Sequence, residues 1–216
     1  MKDPEFGMTL RTQIDILIPS LSSQVKQVFN HETTKERYIN YLKNLYQIVV
    51  ASRPLMQAAL SELEMESKNN TLIDYLTRHL EEEKNHDQWI LDDLNSLGID
   101  REWLNDATPA RSVANLAGSV YYRIFHNDPI SIMGYIAVLE THPVSNETID
   151  LIKVATGINE SSLRTLRQHA EIDVYHSQDF YALLNRLSLT SRQKTSILEC
   201  SKTTLINISK VMATLQ

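Results

Sequence analysis

Cysteine, glycine and proline are scarce in this chain, and each scarcity excludes a class of protein. The single cysteine, Cys200, cannot form an intrachain disulfide, and it cannot supply a thiolate-rich zinc site. Five glycines and six prolines in 216 residues are typical of long helices with short connections. No stretch has the alternating β-branched and aromatic pattern of a sheet. We therefore predict an all-α fold in a reducing, cytoplasmic compartment.

Features of nucleic-acid-binding and membrane proteins are also missing. The net charge of −6 disfavours a nucleic-acid partner. No apolar run reaches the roughly 18–20 residues that a membrane span requires. The first seven residues, MKDPEFG, resemble an expression scar and are excluded from the fold prediction. Residues 8–216 are long enough for one sizeable core, so we predict a single helical-bundle domain there.

Nine helices are predicted from the hydrophobic periodicity and the turn residues. We expect the first to bend near Pro19, and we expect a break at Arg53 because Pro54 suits the first turn of a helix. The predicted helices cover residues 9–30, 33–52, 54–68, 70–96, 109–126, 129–142, 144–155, 159–187 and 190–215, with boundaries uncertain by about 2–4 residues.

One polar pattern, histidine-x3-acid-x2-histidine, occurs twice in the chain. It occurs in HLEEEKNH as His79, Glu83 and His86, and in HAEIDVYH as His169, Asp173 and His176. Seven histidines and 27 acids in 216 residues produce such a pattern by chance about 0.03 times. Residues three, four and seven apart share one helix face, where a bundle normally places core contacts. Buried polar groups must be paired or bound to metal, so the two stripes predict a metal site.

Imidazole together with carboxylate suits iron, manganese or zinc. Glu140 is the best third contributor, because it ends the apolar stretch GYIAVLE and a carboxylate there needs a cationic partner. Four histidines and two or three acids exceed the needs of one ion, so two metals are expected. Glu83 is a further ligand or a residue that orients a histidine. Glu82 is the alternative to Glu83 in this role, since it lies three residues from His79 and four from His86.

The run of His169, Asp173 and His176, together with Glu140 and the earlier His86, resembles the haem-oxygenase-like diiron oxidases. That family shares a helical bundle with haem oxygenases, TenA proteins and pyrroloquinoline-quinone synthase. The resemblance implies this bundle, and it implies that these five residues bind two irons. Several members have a glutamate seven residues before the first histidine, where this chain has His79. We take His79 as a sixth ligand.

The resemblance also implies that the two irons activate O2 to oxidise a small substrate, with an external electron donor and no nucleic acid or membrane partner. An amino acid is the favoured substrate, and the possible outcomes are nitrile formation, cleavage or N-oxygenation in specialised metabolism. A member that converts tryptophan-type amino acids to nitriles is suspected. A homodimer is expected from the family. Tyr135 and Tyr175 lie near ligands in the sequence and are weak candidates for the substrate pocket.

Three alternatives stay open at this point. A TenA-like hydrolase needs an activated cysteine, and Cys200 is far from every histidine in the sequence. A haem oxygenase needs one proximal histidine, for which His31 is available, but this leaves both stripes unexplained. A non-catalytic metal-binding bundle would bind metal without substrate-dependent oxygen consumption.

Overall fold

The computed structural model describes residues 6–65 and 70–215, except for the side chains of residues 174 and 175. In this part of the chain the secondary structure is helical, with no strand. Short 3₁₀ turns occur at Pro129–Ser131 and Glu160–Ser162. The helices are α1 (Phe6–Val28), α2 (Lys35–Met65), α3 (Asn70–Glu82), α4 (His86–Ser96), α5 (Trp103–Asp106), α6 (Arg111–His126), α7 (Ile132–Glu140), α8 (Asn146–Thr156), α9 (Arg164–Arg186) and α10 (Ser191–Ala213).

Helix α7 lies at the centre of the bundle and is buried from Ile132 to Val138. It packs most extensively against α10, and also against α6, α9 and α2. A helix that is apolar on all sides fits such a central position. Gly134 permits the close approach to α10, because a Cβ added there would lie 2.2 Å from the Ile197 carbonyl oxygen. This packing places Glu140, the last residue of α7, at the edge of the core.

The predicted all-α, single-domain bundle is confirmed, but two predicted helix boundaries are wrong. Helix α2 continues through Pro54 instead of breaking at Arg53. Pro54 removes the donor for the carbonyl of Val50, and Val50 is 43% exposed, so this carbonyl lies on the side that water reaches. The predicted helix at 70–96 is two helices, because Asn85 adopts the left-handed conformation (φ 70°) that asparagine tolerates best after glycine.

Other differences lie at the helix ends. Helix α1 begins at Phe6 and runs through Pro19, so two residues of the excluded segment, Phe6 and Gly7, are buried in the bundle. The short α5 was not predicted. Among the described helices, none is both long enough and apolar enough to cross a membrane.

Candidate metal centre

Four helices bring the predicted site residues to one place in the bundle. Helix α3 carries His79, and the turn after it carries Glu83, directly before His86 opens α4. Glu140 ends α7. The three residues of the second stripe lie on α9, which contacts α3, α4 and α7. Of the seven histidine and acidic side chains at these positions, four are buried, and Glu140, His169 and His176 are partly buried.

The first group consists of His79, Glu83, Glu140 and His176. One ligand atom from each lies within 4.8 Å of the others. The Nδ1–H group of His176 donates to Glu140 Oε2 at 2.7 Å, and Nε2 of His79 lies 3.6 Å from Glu140 Oε1. The two imidazole rings meet edge to face, with centroids 5.3 Å apart. Four metal-binding side chains, from three helices and the turn after α3, therefore converge on one small volume.

A second histidine pair, His86 and His169, lies beside this group. The ring centroids are 5.0 Å apart and the rings meet edge to face, as in the first pair. Trp89 stacks on His86 with centroids 4.1 Å apart, and it also contacts the ring of His169. Trp89 was not predicted as part of the site, although its spacing of three residues from His86 places both on one face of α4.

Glu83 links the two groups. Its Oε2 accepts a hydrogen bond from His86 Nδ1 at 3.0 Å, and the same residue belongs to the cluster around Glu140. Glu83 is 8% exposed. The side chain of Glu82 is 41% exposed and lies at the rim, with Oε2 3.6 Å from His79 Nδ1 and 3.8 Å from His176 Nε2. The sequence alone could not separate these two acids, whereas the helix break after Glu82 places them in different environments.

Burial and neighbouring groups shift the pKa values of Asp173 and Glu140 in opposite directions. Burial, together with the nearby Glu140 carboxylate, raises the pKa of Asp173 to about 8. Burial opposes ionisation of Glu140 as well, but hydrogen bonds from His176 and His79 hold its pKa well below the usual range. The hydrogen bond to Glu140 raises the pKa of His176. A bound cation reduces the repulsion between neighbouring carboxylates, and the mixed imidazole and carboxylate ligands fit transition metals such as iron.

Backbone and carboxylate groups outside the cluster orient α9. The Thr165 carbonyl accepts a hydrogen bond from His169 Nδ1 at 2.8 Å, which leaves the lone pair of Nε2 available to bind a metal. Thr165 is in turn fixed by Asp93 of α4, whose Oδ2 accepts from the Thr165 backbone N–H at 3.0 Å. Asp93 is fully buried, so this bond ties the start of α9 to α4. Sequence reasoning missed this contact because it joins residues 72 positions apart.

A cavity of about 190 Å³ adjoins the centre, and His169 and Asp173 form part of its wall. The rest of the wall is mainly aliphatic and comes from α1, α2, α10, the end of α7 and the segment after it. Its members include Leu21, Val25, Leu45, Ile48, Val211 and Met212. Such a concave apolar space beside convergent polar groups is the usual form of a ligand site.

The remaining predicted residues lie elsewhere. Tyr135 does not line this cavity, because its hydroxyl is within 2.7 Å of Ser52 Oγ in the core. The side chain of Tyr175 lies outside the described part of the chain. Cys200 is fully buried, and burial raises the pKa of its thiol to about 12. His31 is exposed in the turn after α1.

Sequence comparison places the chain in a family. A family profile described as iron-containing redox enzyme matches residues 39–206, which is most of the chain. The chain therefore belongs to this haem-oxygenase-like family of iron-containing redox enzymes. No curated protein matches it.

Several solved structures share its fold. A domain of unknown function with a haem-oxygenase-like fold from Shewanella denitrificans is 19% identical, with a TM-score of 0.78, and the alignment covers 96% of this chain and 89% of that one. A CADD-like protein of unknown function from Nostoc punctiforme is 12% identical (TM-score 0.72; 97% and 96% covered). A TenA homologue from Pseudomonas syringae pv. tomato is 13% identical (TM-score 0.68; 94% and 92% covered). At these identities the likeness shows a common fold.

Proposed function

We propose that this member of the iron-containing redox enzyme family binds two iron ions and uses O2 to oxidise a small molecule. The observation that carries the proposal is that two histidine pairs lie side by side. His79 pairs with His176, and His86 pairs with His169. The buried Glu83 lies close to both pairs. One ion does not need four imidazoles and three carboxylates, whereas two ions in a helical bundle use such a set. An external electron donor completes the redox balance.

The iron ligands in this proposal are His79, His86, Glu140, His169, Asp173 and His176, with Glu83 as a seventh. Glu82 has a different role. Its carboxylate lies at the rim, 3.6 Å from Nδ1 of His79, where its charge favours the orientation that turns Nε2 towards Glu140. The Thr165 carbonyl does the same for His169.

When bound, ferrous iron supplies the electrons that reduce O2. The chain's own residues position the substrate and exclude water from the reaction. Aliphatic side chains of five helices form the cavity next to Asp173, and this apolar wall limits the access of water to the centre. An amino acid remains our proposed substrate, with its amine directed to the metals and its side chain in the cavity. Nitrile formation, cleavage and N-oxygenation are its candidate outcomes.

The hydrolase alternative has little support from the site. Cys200 packs against Gly134 in the core and does not contribute to the cavity. Its raised pKa keeps the thiol protonated, whereas a nucleophile must be a thiolate. The non-catalytic alternative leaves the cavity beside the centre without a role.

Anaerobic titration with ferrous iron tests the proposal directly. We expect two irons per chain. We also expect oxygen uptake that depends on one member of an amino-acid panel, with uptake measured by an oxygen electrode and the product identified by mass spectrometry. His176→Ala should lose iron binding, whereas the matched control His31→Ala, at an exposed site, should retain two irons. Stoichiometric iron without substrate-dependent oxygen uptake would support a storage protein, and a single iron in the wild type would refute the two-metal centre.

A further inference from the structure

The cavity beside the metal centre is lined mainly by apolar side chains. Of its nineteen lining residues, Asp173 is the only aspartate or glutamate, and no lysine or arginine is present among the described residues that form it. Both Asp173 and His169 lie at the end shared with the metal centre. The remaining polar groups are the Asn44 amide, the Tyr41 phenol and the imidazole of His142.

Apart from Asp173 and the histidines, the described lining residues carry no charge at physiological pH. Burial raises the pKa of the Tyr41 phenol to about 12, so this hydroxyl stays neutral. The lining also includes Ile18 and Val25 of α1, and Ile208 and Met212 of α10. A charged group placed against these side chains would lose its hydration without gaining a partner, which is costly.

We infer that the substrate has an uncharged apolar body, alkyl or aryl, and a polar head that faces Asp173 and His169. The inference rests on the proposed function, because it assigns this cavity to the substrate of the same centre. It excludes substrates with a charged side chain, including basic and acidic amino acids. Within the proposed amino-acid class it selects apolar and aromatic side chains.

The size of the cavity limits the apolar body. An engineered apolar cavity of about 150 Å³ binds benzene, and the present cavity measures about 190 Å³. A single ring with a short chain, or a medium-length alkyl chain, has a matching volume. This cavity is small for a substituted two-ring side chain.

Binding of three alcohols to the metal-free protein tests the inference. The probes are 1-octanol, 3-phenyl-1-propanol and 8-hydroxyoctanoate, measured by calorimetry at pH 7. The first two distinguish an alkyl body from an aryl one. The third has a carboxylate at the end of the chain opposite its hydroxyl, and it cannot gain an ion pair with Asp173 by binding in reverse. We expect one or both neutral probes to bind, and we expect the carboxylate to weaken binding by at least tenfold. Equal or tighter binding of 8-hydroxyoctanoate would overturn the inference, as would no binding of either neutral probe.

Two matched variants locate the binding. Ile208→Phe fills the cavity, whereas Ile206→Phe adds the same ring at a 56% exposed position on the same helix. We expect Ile208→Phe to weaken binding of the neutral probes at least tenfold and Ile206→Phe to leave it unchanged, with circular dichroism confirming that both fold. Equal effects of the two variants would contradict the assignment. Because the probes bind without metal, failure of iron loading or oxygen uptake would refute the proposed function separately.

Discussion

Replacement of Gly134 by alanine should destabilise the bundle more than any conservative change on its surface. An added Cβ would lie 2.2 Å from the Ile197 carbonyl oxygen, 2.7 Å from the Ser201 nitrogen and 2.8 Å from Cys200 Cβ. Two of these atoms belong to the backbone of α10, so rotation of a side chain cannot relieve the overlap. Overpacking of a core costs about 1–3 kcal/mol, while alanine regains up to about 1 kcal/mol of helix propensity. We expect a net loss of about 2 kcal/mol.

Gly118→Ala is the matched control. Gly118 also lies inside a helix, α6, but it is exposed and a Cβ there meets nothing within 4 Å. Alanine should therefore stabilise the protein by about 0.4–1 kcal/mol. Urea and thermal unfolding followed by circular dichroism measure both effects, and a loss of 2 kcal/mol corresponds to a melting point lower by about 4–8 °C. A Gly134→Ala protein as stable as the wild type would refute the reasoning about α7 and α10.

Three further predictions concern the site and its supports. Asp93→Ala should lower the free energy of unfolding by about 0.5–2 kcal/mol, because the Thr165 N–H loses its acceptor, and urea unfolding measures this. Cys200 should resist iodoacetamide at pH 8 until the protein unfolds, because burial raises the pKa of its thiol from about 9 to about 12. The contribution of this shift to stability is full below about pH 9 and is lost as the pH rises towards 12. The urea midpoint should therefore fall over that pH range. Glu83→Gln should reduce iron stoichiometry below that of Glu82→Gln in a metal analysis, and equal stoichiometry in the two variants would contradict the distinction between a buried ligand and a rim residue.

The second histidine stripe shows what sequence periodicity can predict. His169, Asp173 and His176 lie on one uninterrupted helix, so their spacing alone places them on one face. Glu140 was predicted from energetic reasoning, because a carboxylate that ends an apolar helix needs a partner. The structure supplies that partner in the imidazoles of His79 and His176.

The first stripe shows where the same reasoning is insufficient. His79 and His86 do not share one helix, because the chain leaves the helical conformation at Glu83–Asn85. The predicted convergence of these residues occurs, but it depends on the turn and not on the period of a helix. The preference of one asparagine for a left-handed conformation is too weak a local signal to predict such a break.

The cavity was beyond the reach of sequence analysis for a different reason. Its walls come from five helices and the segment after α7, and each lining residue reads as an ordinary core position in its own segment. Ile48 and Val211, for example, are buried like their neighbours in the hydrophobic core. Only the distances between helices decide whether such side chains touch one another or surround a space, and a single sequence does not contain those distances.

Several energetic costs of this fold lie close together at the metal centre. The buried carboxylates Glu83 and Asp173 and the partly buried Glu140 lie where apolar side chains of similar volume would generally give equal or greater stability. The left-handed Asn85 adds a backbone cost of about 1 kcal/mol or more two residues from Glu83. Elsewhere the described interior also buries polar groups, among them Asp93 and several hydroxyl side chains, but no other described non-glycine residue has a positive φ. Because these costs coincide with the convergence of four histidines, the local loss of stability is best explained by a cation that the folded chain binds and the unfolded chain does not.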